Sequence, residues 1–234
     1  AVVAVIAAGA GGFLTWQKFS AEQQRKAQIE SGIATAEKQL RAGTENHWQH
    51  AVRAADRVLQ LAENQPRALG IAAEASYAAI LDQGVSIDQM RRGGAIYTDK
   101  IETALVTGPH VEKALALKSI DQGRPGPAIK RLEKVLAGAP NDPDALLYLG
   151  WGHSAAGDSK SAVESFQKAL DAASSQAPER TAPALYGLAQ AQLAAGDRAA
   201  ARTSFKALSE LDEEHLGALL GLAETAEVSQ PSER

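Results

Sequence analysis

Two histidines in the first quarter of the sequence have a spacing that could support metal chemistry. His47 and His50 lie three residues apart, so a helix would place both imidazoles on one face, where they could bind a metal ion. Glu45 is the nearby candidate for a third ligand. The competing interpretation is a pair of surface histidines at a helix start, where polar residues collect. A metal-dependent enzyme that uses His47 and His50 is therefore the least favoured hypothesis.

The rest of the sequence offers few other groups that could catalyse a reaction. The remaining histidines are scattered, each at or near a predicted helix: His110, His153 and His215. The sequence motifs GxSxG, HExxH, GxxxxGK[ST] and GxGxxG are absent. Residues 91–94 (RRGG) could form a phosphate-binding turn, but no strand precedes them and a solvated loop is the preferred interpretation. We expect a protein that is not an enzyme and that needs no metal and no cofactor.

The composition indicates the elements that must position any site. Of 234 residues, 45% are hydrophobic and only 5% aromatic, and alanine dominates the apolar fraction. Alanine is the strongest helix former, and strand-forming residues never alternate over a long run, so we expect an all-α fold. A net charge of −4 without a basic stripe argues against a nucleic-acid partner. The absence of cysteine excludes disulfides and thiolate chemistry.

The first seventeen residues resemble a membrane span. Residues 1–17 contain no charged side chain, and as a helix they would span about 26 Å, slightly less than a hydrocarbon core of about 30 Å. We expect a transmembrane helix here, truncated at its start, followed by a juxtamembrane helix at 18–29. Alanine-rich spans form small-residue ridges by chance, but this ridge could also pack against another membrane helix: Ala4, Ala8 and Gly12.

A repeat runs through the second half of the sequence. Residues 147–170 and 186–208 align with each other, and each predicts a helix, a Gly-Asp turn and a second helix. When the two turn glycines are in register, large, small and aromatic positions also coincide: Gly157 on Gly196, Leu149 on Leu188, Gly150 on Ala189, Ala162 on Ala201, and Phe166 on Phe205. Leu132 lies 34 residues before Phe166, and Leu222 lies 34 residues after Leu188, so the pattern extends in both directions.

This pattern resembles the tetratricopeptide repeat (TPR), a helix–turn–helix unit of 34 residues. Asp142 and Pro143 suit a helix start, and Gly157 suits a left-handed helix end. The resemblance implies an α-solenoid of about four repeats and a closing helix after the transmembrane helix. Such repeats stack into a right-handed superhelix whose first helices line the concave face.

The quality of the match varies along the chain. It is strong over 109–228 and weaker over 30–108, where Gly84, Gly93 and Gly94 interrupt the pattern. We therefore expect degenerate repeats in 30–108, regular repeats with a closing helix in 109–228, and a flexible tail at 229–234.

The resemblance also predicts a protein-binding groove on the concave face. Its residues are Lys113, Leu117, Leu147, Tyr148, Trp151, Tyr186, Gln190 and Leu220. Tyr148 and Trp151 lie one turn apart, and Tyr186 is expected beside them on the next first helix. These three rings would form either a binding hot spot or the filling between neighbouring repeats. A carboxylate clamp known in some such repeats is not supported, since only Lys113 matches it.

The resemblance implies a membrane-anchored scaffold or adaptor that binds a partner protein through this groove. The layout of one span followed by repeats is similar to single-pass TPR proteins of the bacterial envelope, which implies an inner-membrane protein with a periplasmic repeat domain. Basic residues after the span hint at the opposite orientation, so the sidedness stays open. The alternative is a permanent structural subunit of a secretion, pilus or motility machine.

Overall fold

The computed structural model describes the backbone of residues 2–42, 46–83 and 87–226, and the side chains from residue 15 onward within these ranges except 82, 83 and 87. Every regular element in this described part is helical. The helices are α1 (Val2–Leu40), α2 (His47–Leu61), α3 (Pro66–Gln83), α4 (Ile87–Ala104), α5 (Pro109–Asp121), α6 (Pro125–Gly138), α7 (Pro143–Ala155), α8 (Ser159–Gln176), α9 (Thr181–Ala194), α10 (Arg198–Leu211) and α11 (Leu216–Glu224). A short 3-10 helix, Pro178–Arg180, precedes α9.

Consecutive helices pack in pairs to form an α-solenoid. The pairs are α1/α2, α3/α4, α5/α6, α7/α8 and α9/α10, and α11 closes the array. The first helix of one pair also packs on the first helix of the next, from α3 through α5 and α7 to α9. The described residues thus form five pairs, one more than the sequence repeat indicates. The additional first helix is the C-terminal part of α1, whose Ile33, Ala36 and Leu40 are buried.

The turns of the repeats have the predicted geometry. Gly123, Gly157 and Gly196 follow α5, α7 and α9 with φ of 68°, 75° and 85°, a left-handed conformation that glycine adopts without strain. At the next helix start, the Asp158 and Asp197 carboxylates accept backbone N–H bonds from α8 and α10 at 3.1 and 2.9 Å. The Gly-Asp sequence therefore ends one helix and begins the next.

A phenylalanine ring joins each of the last two pairs to the next first helix. A Cβ added at Gly150 would lie 2.6 Å from the Phe166 ring, and one added at Gly187 would lie within 3.0 Å of it. Phe166 therefore packs against a glycine of its own pair and against a glycine of the following pair. Phe205 repeats the second of these contacts, because a Cβ at Gly221 of α11 would also lie within 3.0 Å of that ring; within its own pair it clusters with Ala189 rather than with a glycine. The small positions of the sequence repeat exist to admit these rings.

Helix α4 corrects two expectations for the weaker half. Gly93 and Gly94 do not interrupt a helix but lie inside α4, where a Cβ at Gly94 would meet the Tyr77 ring at 2.8 Å. Residues 91–94 are therefore helical, so the predicted solvated loop is wrong and they form no phosphate-binding turn either. Arg91 instead pairs with Asp121 of α5 at 2.6 Å. Gly84 lies outside the described residues.

Helix α1 runs for 39 residues without a break and joins the solenoid only near its C-terminal end. Its side chains from Thr15 to Gln28 are largely exposed, including Trp16 and Phe19. The predicted span 1–17 and its ridge of Ala4, Ala8 and Gly12 fall largely on side chains that lie outside the described residues. Within the part that the structure describes, no helix is both long enough and apolar enough to cross a membrane.

Candidate functional site

The two histidines of the metal hypothesis do not converge. His47 is buried at the start of α2, whereas His50 lies on the exposed side of the same helix. Glu45 lies outside the described residues. Over the described ranges, no three His, Asp or Glu side chains are grouped so that they could hold a metal ion. These positions therefore give no support to a metal-dependent enzyme.

The other histidines have structural contacts. His110 bonds to the buried carboxylate of Glu74 at 2.6 Å. The Nδ1 atom of His215 accepts the backbone N–H of Ala218 at 3.1 Å and so caps α11. His153 lies half-buried at the end of α7.

Half of the predicted groove residues are buried, which corrects their expected exposure. Four of them lie in the interior: Lys113, Leu117, Leu147 and Tyr148. The three uncharged members share one core cluster with Leu40 of α1 and Trp48 of α2. The chain itself thus covers these four side chains, and a partner cannot reach them.

A group of charged residues, the buried charge cluster, lies beneath this cover: Glu74, His110, Lys113, Asp144 and Arg180. Glu74 of α3 lies at its centre and is completely buried. One of its oxygens contacts His110, and the other accepts bonds from Tyr148 at 3.1 Å and from Lys113 at 3.3 Å. Three polar contacts that join α3 to α5 and α7 therefore meet at the Glu74 carboxylate.

The second carboxylate of the cluster takes part in a link between the end of α1 and the start of α9. Asp144 accepts a 2.6 Å bond from the Arg180 Nε atom, and its other oxygen lies 3.9 Å from the Lys113 Nζ atom. Arg180 also donates to the backbone oxygen of Leu40 at 2.6 Å. Its guanidinium lies 5.0 Å above the Trp48 ring. The end of α1 is thereby attached to the start of α9.

The cluster keeps its charges because each one faces an opposite charge. Burial alone would raise the pKa of Glu74, but the charges of Lys113 and His110 lower it. Burial likewise opposes ionisation of Asp144, but Arg180 and Lys113 hold the pKa of this carboxyl well below its usual range. Burial would lower the pKa of His110, whereas the charge of Glu74 raises it. Since the cluster is closed to solvent, we interpret it as a structural device rather than a reaction site.

The concave face is open around α9, where three predicted groove residues come together. Trp151, Tyr186 and Gln190 line a cavity of about 210 Å³, the aromatic cavity, together with Leu81, Ser154, Phe166, Pro183 and Gly187. The Trp151 ring stacks on the buried Tyr148 ring with centroids 5.2 Å apart. The Tyr186 hydroxyl accepts a 3.3 Å bond from Gln190. The structure thus brings Trp151 and Tyr186 together at one cavity on the open part of the face.

A second, more polar cavity of about 460 Å³ adjoins the first one. The two share Pro183 and Tyr186, so the tyrosine stands between them. The charged and titratable residues that line this polar cavity are Glu179, Arg180, Asp212, His47 and His215. We call the two cavities together the Tyr186 groove. Leu220, the last of the predicted groove residues, is exposed on α11 but lines neither cavity.

Sequence reasoning missed the acidic and basic members of the buried charge cluster. Glu74, Asp144 and Arg180 each stand in a helical pattern that also accommodates an exposed charge, so their positions gave no signal. Glu74 does lie in an otherwise uncharged stretch from Ala68 to Ile80, and that isolation is the one sequence signal that could have marked it.

Comparison with known proteins agrees with this geometry. The sequence model of the tetratricopeptide repeat matches residues 144–173 and 183–212. The fold is similar to the crystal structure of TTC0263, a thermophilic TPR protein of Thermus thermophilus, with a TM-score of 0.55 and 16% identity over 81% of this chain and 98% of that one. It is also similar to YrrB, a TPR protein with an unusual peptide-binding site, with a TM-score of 0.50 and 16% identity over 77% of this chain and 85% of that one.

No curated protein matches the chain in sequence. The two matched segments correspond to α7/α8 and α9/α10, the pairs that are joined by Phe166 and closed by Phe205. The chain therefore carries two tetratricopeptide repeats within a helical solenoid that has the tetratricopeptide-repeat fold.

Proposed function

We propose that this protein is a scaffold or adaptor that binds a partner protein in the Tyr186 groove. The observation that carries the proposal is the position of Tyr186 between an aromatic and a polar cavity on an open stretch of the described concave face. Most of the same face over α5 and the start of α7 is filled by the chain itself. Cavities that combine rings with a few polar groups are typical of binding sites.

The lining of the groove favours a particular kind of segment. A large apolar side chain would fit the aromatic cavity against Trp151 and Tyr186. A basic or hydrogen-bonding side chain next to it would lie near Glu179 and Asp212 in the polar cavity. The expected ligand is therefore a short protein segment in which an apolar residue neighbours a basic one.

The proposal extends to membrane attachment in the bacterial envelope, with the repeat domain in the periplasm. What supports it is the uncharged sequence 1–17, together with a helix that continues from Val2 into the solenoid and exposes Trp16 and Phe19. Attachment is tested by membrane fractionation of cells that express the Ala8→Arg variant. Release from the membrane is expected, because a charge at mid-span is costly, whereas Ala27→Arg on the exposed part of α1 should stay bound.

Groove binding is tested by photo-crosslinking in cells from position 151, with a photoreactive residue in place of Trp151. We expect a discrete adduct that disappears when Gln190→Trp fills the cavity from its exposed position. Lys134→Trp on the exposed face of α6 is the matched control and should leave the adduct unchanged. A folded protein without an adduct, or an adduct that survives Gln190→Trp, would remove the groove as the partner site.

The alternative function is a permanent structural subunit of a secretion, pilus or motility machine. Sizing of the detergent-extracted protein separates the two functions. A monomer that acquires its partner only transiently fits the adaptor, whereas a stable large particle from which the protein does not dissociate fits the machine.

A further inference from the structure

The closing helix α11 exposes three leucines, one of which stands at a position that the earlier first helices bury. Leu216, Leu219 and Leu220 are 68%, 47% and 62% exposed. They lie at i, i+3 and i+4 and so share one face of the helix. We call these three residues the leucine strip. Leu216 also lines the polar cavity, but the other two lie outside the Tyr186 groove.

The repeat register explains what is missing from this face. Leu219 corresponds to Leu185 of α9 and to Leu146 of α7, which are 9% and 5% exposed. Leu185 packs in a cluster with Leu208, which belongs to the second helix of its own pair. Within the described residues no helix follows α11, so the equivalent surface at Leu219 has no second helix on it. Leu219 therefore stands at a position that, elsewhere in this solenoid, packs against an antiparallel second helix, and Leu216 and Leu220 flank it on the same exposed face.

The charges around the strip are ordered along α11. At its N-terminal end, the turn from α10 carries three exposed carboxylates in succession: Asp212, Glu213 and Glu214. At its C-terminal end, Arg202 and Arg198 of α10 donate to the backbone oxygens of Leu222 and Glu224. A helix that lies antiparallel to α11 would place its own C-terminal end beside the carboxylates and its N-terminal end beside the arginines.

We infer that the leucine strip is a second docking surface, which binds an amphipathic α-helix of a partner protein with acidic residues in its first turn and basic residues in its last turn. The apolar face of that helix covers the three leucines, as α10 covers Leu185. Its basic end meets the carboxylates of the α10–α11 turn, and its acidic end meets Arg198 and Arg202.

The experiment uses the whole chain and two fluorescent peptides of about 16 residues, each an amphipathic helix with leucines on one face. One peptide carries glutamates in its first turn and lysines in its last, and the other has these charges exchanged. Binding is measured by fluorescence anisotropy. We expect the first peptide to bind at least about tenfold more tightly than the second. Equal binding of both peptides, or binding of neither, would overturn the proposal.

Two variants locate the binding on the strip. Leu219→Glu should weaken binding of the first peptide by about tenfold or more, whereas Leu105→Glu, at a leucine 84% exposed before α5, should not. The double variant Glu213→Lys and Glu214→Lys should bring the two affinities together or reverse their order. Unchanged binding in these strip variants would place the peptide elsewhere and contradict the proposal.

Other occupants of the strip are separated by sedimentation equilibrium and by a shortened chain. A dimer that Leu219→Glu dissociates would identify a second copy as the occupant and overturn the proposal. A chain that ends at residue 226 should bind the first peptide as the whole chain does. A large gain in affinity on shortening would show that the chain's own last residues cover the strip, which would also overturn it.

Discussion

The two halves of the solenoid join neighbouring pairs by different means. From α3 to α7 the first helices share buried charges, with Glu74 and Asp144 opposite Lys113 and Arg180. From α7 to α11 the pairs are joined by phenylalanine rings on glycines, and the contacts recur at the repeat spacing. The recurring contacts are local, and each pair carries its own. The charges are not repeated, and through Leu40 they fix a helix that is distant in sequence.

The largest effect is expected in the charged half, from Lys113→Met. This change leaves Glu74 and Asp144 buried with one cation fewer, and we expect the free energy of unfolding in urea to fall by about 3–5 kcal/mol. Lys134→Met is the matched control, because Lys134 pairs with Glu112 at 3.0 Å on the surface, and its loss should cost less than about 1 kcal/mol. Equal effects of the two changes would show that buried charge does not hold this half together.

An intermediate effect is expected in the repeated half, from Gly187→Ala. The new Cβ would lie within 3.0 Å of the buried Phe166 ring, and we expect a loss of about 1–3 kcal/mol in thermal or urea unfolding. Gly138→Ala, where a Cβ meets nothing within 4 Å, should be neutral or slightly stabilising. If Gly187→Ala changed the free energy of unfolding as little as this control does, the Phe166 ring could shift without cost. The close contact between ring and glycine would then not hold the neighbouring pairs together.

The smallest effect concerns the edge of the charged half and depends on pH. Hydrogen bonds from His110 and then from Arg67 lower the pKa of Glu37 from 4.5 to about 2. Because the folded pKa is depressed, this carboxylate contributes stability above pH 4.5 and loses it as the pH falls toward 2. We expect melting temperatures measured between about pH 5 and pH 2 to fall less steeply in Glu37→Gln than in the wild type. Parallel curves would contradict this role of Glu37.

The repeated half could be predicted from the sequence almost in full, because its contacts follow the repeat. Gly157 ends a helix as expected, and the Asp142 side chain caps the next first helix at 3.0 Å. The neighbourhood of Trp151 and Tyr186 followed from the same register. These are short-range or neighbouring-pair relations, and a single sequence contains them.

The buried half of the face could not be predicted, because its partners are distant in the chain. Arg180 contacts Leu40 across 140 positions, and nothing in either local sequence specifies that pairing. The C-terminal part of α1 falls within the predicted degenerate repeats, 30–108, but it carries no clear copy of the pattern, so its contact with Arg180 gave no sequence signal. Because this contact was not foreseen, we expected Lys113 and Tyr148 to be exposed in an open groove.

The unbroken course of α1 from Val2 to Leu40 has a mechanical consequence. A continuous helix turns as one body. The orientation of its first turns therefore determines the direction in which the Tyr186 groove opens. Each residue inserted between Gln17 and Gln28 would turn the solenoid by about 100° about the helix axis and move it outward by about 1.5 Å. The number of residues in this exposed stretch therefore determines the rotation of the solenoid about the axis of α1 as well as its distance from the start of that helix. Adding or removing one residue changes the rotation far more than the distance.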